Sequence, residues 1–113
     1  MKISDIVKPL QCEAIHKGDR FDEIEIRHVI ASDLMSDVLV VDLGDLLLVT
    51  SLPSDQSIRT ADIVGAVAVL VVNGKTLPDN MKALAREMDM ALLRSPLPKF
   101  EACIELGRLM NLP

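Results

Sequence analysis

Residues Ala61–Gly74 read ADIVGAVAVLVVNG: an apolar helix end passes through Gly65 into a strand with no polar side chain before Asn73. A strand that alternates polar and apolar residues has one wet face, whereas one that is apolar at every position is covered on both. Val67–Val72 is therefore expected to be the central strand of a sheet with a layer on each side. The rest of the chain is read as those layers.

Downstream, Pro78-Asp79 opens a helix with Met81, Leu84, Ala85 and Met88 on one face, ending near Asp89. Ala91–Arg94 is a short last strand, Ser95-Pro96-Leu97-Pro98 a rigid turn, and Phe100, Cys103, Ile104 and Met110 mark a terminal helix. Upstream, Pro53-Ser54-Asp55 starts a helix that carries Ile58, Ala61, Ile63 and Val64 on its apolar face, and Leu46–Thr50 is a further apolar strand. The stretch before it fits two patterns. Two apolar runs around Asp42-Leu43-Gly44-Asp45 suit a hairpin. Ser32 as N-cap, Asp33 in the first turn, and Leu34, Met35, Val38, Leu39 and Val41 on one stripe suit a helix that Gly44 would end in left-handed geometry. The helix, Asp33 to about Leu43, is preferred.

At the amino end Ser4 is placed to cap a short helix with Ile6, Val7 and Leu10 on one face, cut short by Pro9. Glu13–His16 is a strand that stops at the turn residue Gly18. Ile24, Ile26, His28 and Ile30 then alternate with Glu25, Arg27, Val29 and Ala31, which predicts a second strand with His28 on its apolar side. From Ala31 onward helices and strands alternate, so right-handed crossovers and a mainly parallel sheet are expected. The predicted architecture is a single α/β domain over residues 1–113. It is a three-layer α/β/α sandwich with a mainly parallel five-stranded sheet, mixed at one edge by the amino-terminal pair of strands.

Composition narrows the function classes. Half of the residues are apolar, with two Phe and no Trp or Tyr, so base-stacking platforms and aromatic cages have almost no residues to build them. The net charge of −5 opposes a polyphosphate partner, so no nucleic acid is expected. The apolar run Ile63–Val72 is far short of the ~20 residues that span a bilayer. Lys2 and Asp5 at the start leave no apolar signal core, so no membrane association and a cytoplasmic location are expected. Cys12 and Cys103 are unclustered and sit in apolar patterns, as free buried thiols do.

Catalytic patterns are absent. Gly74-Lys75-Thr76 imitates the end of a phosphate-binding P-loop, but the required glycine five residues earlier is Val69, and Leu77-Pro78 replaces the helix start. No Gly-x-Ser-x-Gly elbow occurs, and neither Cys has a His-linked activation motif. His16 and His28 read as packed rings, with no partner set at metal spacing. Asp19, Asp22, Glu23 and Glu25 lack the central Gly of a calcium loop and read as a solvated turn. No metal, cofactor or catalytic residue is assigned. In parallel α/β sheets ligands sit beyond the carboxyl ends of the strands. Those ends carry Thr50, Ser51 and Ser54; Asn73, Gly74 and Lys75; and Arg94 and Ser95. Joined by Arg59 and Thr60 of the intervening helix, these ten residues are the candidate ligand-binding set, suited to a small anion.

The chain resembles the DRTGG domain, a small α/β module similar to the amino-terminal domain of HPr kinase/phosphorylase. The resemblance covers almost the whole chain and lies in MKISDIVKPL, SDLMSDVL, GDLLLVTS, SIRTADIVG, AVLVVNG and FEACIELGRLM. SDLMSDVL resembles the version found near iron hydrogenases. Where the family pattern has Asp-Arg-Thr before the central strand and Gly-Gly after it, this chain has Asp55, Arg59-Thr60 and Asn73-Gly74, with a spacer inside the first part. The resemblance implies a non-catalytic regulatory or ligand-sensing domain, of the kind joined to CBS domains and acetyl-group enzymes. A small anionic metabolite or nucleotide, a partner protein, or both would be its ligand. The large aliphatic fraction in so short a chain adds the expectation of a homodimer. Two alternatives belong to other classes: a structural adaptor for a hydrogenase or other redox-enzyme partner, and an enzyme of small phosphorylated substrates working at Thr50, Arg59 and Lys75.

Overall fold

A computed structural model describes all residues, Met1–Pro113. Its elements in order are α1 (Ser4–Val7), β1 (Glu13–His16), β2 (His28–Ala31), α2 (Met35–Val38), β3 (Leu46–Thr50), α3 (Asp55–Val64), β4 (Ala68–Val71), α4 (Asp79–Glu87), β5 (Ala91–Arg94) and α5 (Lys99–Leu109). A one-turn 3-10 helix covers Phe21–Glu23. The five strands form one sheet in the order β1-β5-β4-β3-β2, so β4 is central, as its continuous apolar run requires.

β2, β3, β4 and β5 are mutually parallel and β1 is antiparallel to β5. The mixed edge is therefore β1 alone. β2, expected beside it, lies at the opposite edge, parallel to β3. Because β2 to β5 advance in one direction across the sheet, right-handed crossovers put α2, α3 and α4 on the same face. The packing agrees. Met35, Val38, Ile58, Ala61, Met81, Leu84 and Ala85 from those helices form one core with Leu46, Leu48, Val69, Val71 and Leu92. On the other face α1 with its flanking residues supplies Ile3, Ile6 and Leu10, and α5 supplies Ala102 and Leu106, packed with Leu47, Val49, Ala68, Leu70 and Leu93. Neighbouring residues of each strand thus enter different cores, which is why β3 and β4 need an apolar residue at nearly every position. The layers are those of an α/β/α sandwich. No helix is long and apolar enough to cross a membrane.

Several local expectations are corrected. α2 has four residues rather than eleven, and the residue before it is Leu34 in extended geometry, not Ser32. The Ser32 hydroxyl instead accepts the Leu34 N–H at 3.1 Å in a local turn. Only Met35 and Val38 of this helix reach the core. Two such side chains contribute roughly 3–6 kcal/mol on burial, too little to order eleven residues that each cost about 1–2 kcal/mol. Leu39, Val40 and Leu43 are consequently exposed. Gly44 is not the left-handed residue; Asp45 is, at φ 50°, and its carbonyl accepts the N–H groups of both Arg27 and His28.

β2 begins only at His28. Ile24 and Ile26 keep the expected alternation but pair with the amino terminus, through Ile3 N–H to the Ile24 carbonyl and Ile26 N–H to the Met1 carbonyl. His28 is exposed, with Nδ1 2.8 Å from the Gly44 carbonyl oxygen, so it is not a packed ring. Ser4 does not cap α1; the residue before the helix is Ile3, already helical, and Asp5 Oδ2 accepts the Lys2 N–H at 2.9 Å. α5 buries Ala102 and Leu106, while Phe100 and Ile104 face outward.

Candidate functional site

The carboxyl ends of β2, β3, β4 and β5 lie along one edge of the sheet, as parallel register demands. The side chain that gathers this edge is Asp33, two residues past β2. Its Oδ1 accepts the Thr50 hydroxyl at 3.0 Å and the Ser51 N–H at 2.7 Å, and its Oδ2 accepts the Ser51 hydroxyl and the Lys99 ammonium at 2.6 Å. Partial burial alone would raise this carboxyl. The hydrogen bonds from Lys99, Ser51 and Thr50 outweigh it and hold the group well below the usual carboxylate range. Thr50 is fully buried and its Oγ1 also accepts the Leu52 N–H at 3.2 Å, which fixes the rotamer that points its proton at Asp33.

Lys99 ties a second strand end into the cluster. As the first residue of α5 its N–H lacks an intrahelical partner, and Asn73 Oδ1 accepts it at 2.9 Å. Asn73 and Gly74 are both left-handed, at φ 67° and 61°, and this places their N–H groups on the Leu97 and Ser95 carbonyls. Those amides are spent within the chain and do not wrap a phosphate, which is the geometric reason the Gly74-Lys75-Thr76 resemblance to a P-loop goes no further.

The remaining candidate residues divide into supporting and outward-facing groups. Ser54 caps α3 by accepting the Gln56 N–H at 3.1 Å. Ser95 is buried; its hydroxyl donates to the Leu10 carbonyl at 2.6 Å and accepts the Leu97 N–H at 3.1 Å, fastening the end of α1 to β5. Thr60 is buried within α3. Arg59 is exposed and 3.8 Å from Asp55, and Arg94 lies 3.5 Å from Glu13. Lys75 is exposed at the end of β4. None of the ten residues lines a cavity: the largest, about 560 Å³, is at the opposite, amino edge between Met1, Ile26, Arg27 and Leu109. The carboxyl edge is open; its cations Lys99, Arg59 and Arg94 are each paired with a carboxylate, and Lys75 is exposed without such a partner.

Asp33 and Lys99 are absent from the set derived from sequence. The rule that selected the ends of β3, β4 and β5 also selects Ser32-Asp33 after β2; assigning Asp33 to a long helix hid it. Lys99 carries no comparable signal, since only the folded chain brings it to Asp33. Elsewhere, His16 Nε2 is 2.8 Å from Asp89 Oδ1, Glu23 pairs with Arg20, and Glu25 pairs with the amino-terminal ammonium at 2.7 Å. No three His, Cys, Asp or Glu side chains are grouped to hold a metal ion.

No family model matches the sequence, and no curated protein matches it. A solved structure is similar in fold: the CBS and DRTGG domains of the regulatory region of Clostridium perfringens pyrophosphatase, complexed with its activator diadenosine tetraphosphate, with a TM-score of 0.77 at 14% identity. The fold is of the DRTGG type. The likeness covers 99% of this chain and 47% of that one, so the chain spans about half the length of the structure it matches. At this identity the DRTGG-type likeness concerns the course of the backbone, and the side chains at the carboxyl edge are this chain's own.

Proposed function

We propose that this chain is a non-catalytic regulatory domain that senses a small anionic metabolite at the carboxyl edge of its sheet and acts as a homodimer. The observation that carries the reading is the convergence of Thr50, Ser51 and Lys99 on one anion, the Asp33 carboxylate. Hydroxyl, backbone N–H and ammonium donors, gathered here from the end of β3 and the start of α5, are the chemistry that stabilises oxyanions, and since Asp33 occupies them a ligand anion would bind by displacing that carboxylate. Exposed Arg59 of α3 and Lys75 after β4 add cations to the segments that follow β3 and β4. A nucleotide or other phosphorylated metabolite is the favoured class, in keeping with the nucleotide activator of the pyrophosphatase regulatory region.

The test is a two-dimensional amide NMR titration with inorganic phosphate, pyrophosphate, ATP and diadenosine tetraphosphate. Saturable shifts at Thr50, Ser51, Arg59 and Lys75, lost in Arg59→Ala/Lys75→Ala, support the reading. Shifts confined to other faces, or none with any of the four, refute it. Turnover of a bound phosphoester abolished by Lys75→Ala would move the chain to the enzyme class.

One observation favours a second reading as an adaptor for a redox enzyme. Leu34 and Leu39, within the SDLMSDVL stretch that resembles the hydrogenase-associated domains, and Val40 and Leu43 just after it expose apolar surface around α2, and Asp37 and Asp42 are exposed beside them. An apolar patch rimmed by carboxylates suits a protein partner with a basic rim.

A further inference from the structure

The outer face of α5 is apolar and nothing in the chain covers it. Phe100 is 76% exposed, Ile104 37% and Leu112 61%, and with Cys103, Gly107 and Arg108 they line a groove of about 400 Å³. At about 100° of rotation per residue, Phe100, Ile104 and Gly107 lie on the side away from Ala102 and Leu106, whose burial fixes α5 to the sheet, with half-buried Cys103 at the margin of the stripe. Core packing therefore does not account for the apolar character of this stripe.

Two pairs spaced seven residues apart, two helical turns, make the stripe complementary to itself. Phe100 is a knob and Gly107 a notch: a Cβ built on Gly107 meets no atom within 4 Å, so the space above it is open. Glu101 and Arg108 flank the stripe on one side with opposite charge; Arg108 Nη1 meets Glu105 of its own helix at 2.9 Å but stays 71% exposed, open to a second carboxylate. Reversing one helix against another about Ile104 brings Phe100 toward Gly107 and Glu101 toward Arg108, twice each, as an isologous interface requires. The other exposed apolar patch lacks this property. Around Leu34, Leu39, Val40 and Leu43 the charges without a basic partner are Asp37 and Asp42, since Lys99 meets Asp33 and Arg27 meets Asp45, so two copies meeting there would bring like charges together.

We propose that α5 is the homodimer interface, packed antiparallel against α5 of a second copy about a two-fold axis near Ile104. This rests on the homodimer reading and adds its surface and register; it does not depend on anion sensing. The register places the Cys103 thiols of the two copies near the axis. Cys12 offers no competing reaction, since burial pushes its thiol up to about 12.

The experiment combines light scattering at tens of micromolar with a short bismaleimide crosslinker, on the wild-type chain, Ile104→Glu and Cys103→Ser. The expected results are twice the 12.4 kDa chain mass and a crosslinked dimer that Cys103→Ser abolishes. Ile104→Glu, which places a carboxylate at the axis in both copies, should weaken association on the order of 100-fold or more, with an unchanged far-UV circular dichroism spectrum. A wild-type mass of 12.4 kDa overturns both the homodimer and its interface. A dimer that forms no Cys103 crosslink and ignores Ile104→Glu keeps the homodimer and overturns the α5 interface.

Discussion

Replacing Asp33 with Ala should cost about 2 kcal/mol of folding stability, and the sum can be worked from its partners. Thr50 is fully buried, so its hydroxyl proton loses its acceptor where water does not readily enter, at a cost of about 1–3 kcal/mol. The Lys99 pair contributes less, because the two side chains are 33% and 44% exposed; screened pairs of this kind are worth about 0.5 kcal/mol. Ser51 sits at the half-buried edge, where solvent can satisfy its N–H and hydroxyl. Asp33→Asn keeps an acceptor for Thr50 and Ser51 while losing the charge opposite Lys99, and should cost about 1 kcal/mol or less.

The pH dependence separates the charge from the acceptor. A carboxyl held below its unfolded value of about 3.9 contributes its full stability above that value and loses it as pH falls toward the folded value. The gap between wild type and Asp33→Asn should therefore be flat from pH 8 to 5 and narrow below about pH 4. Urea denaturation followed by far-UV circular dichroism is the assay, since the chain has no Trp or Tyr. An Asp33→Ala variant within 0.3 kcal/mol of wild type, about the scatter expected between independent sites, would refute the reasoning. So would an Asp33→Asn gap unchanged at pH 2.5.

Ser95→Ala should destabilise by about 1–3 kcal/mol in the same denaturation assay, because the Leu10 carbonyl and the Leu97 N–H both lose a partner at a buried site; an unchanged midpoint would mean that water replaces the hydroxyl. With its thiol raised to about 12 by burial, Cys12 should resist maleimide at pH 7 in the native chain and react once urea unfolds it, with mass spectrometry of the peptides as the readout.

Most of the sheet is legible in the sequence because its signals are local and redundant. β3, β4 and β5 are continuous apolar runs ended by Thr50-Ser51, Asn73-Gly74 and Ser95-Pro96, and Ser54 and Gly65 bracket α3 as cap and left-handed stop. Each of those features has one good conformational solution. The segment from Ile24 to Asp45 has several. Ile24 and Ile26 alternate correctly for a strand, but the amino-terminal residues Met1 and Ile3 reach their backbone groups where β3 does not. The helical stripe through Leu39 and Val41 is equally regular, and it fails because Leu39 gains no burial; beyond Val38 only Val41 packs, partly buried, against the core.

The same distinction explains the candidate site. Residues whose role is set by the local backbone, such as Ser54 at a helix start or Asn73 at a left-handed turn, announce themselves by position. Asp33 and Lys99 act on each other across 66 residues, and no spacing rule connects them. Their contact joins the layer of α5 to the β2–α2 connection on the far face, so the edge proposed to meet the ligand also couples the two helix layers. An anion that competes with Asp33 for Lys99 and Ser51 would loosen the connection leading into the segment that exposes Leu34, Leu39, Val40 and Leu43, a physical route from ligand to partner surface that requires no change in the sheet.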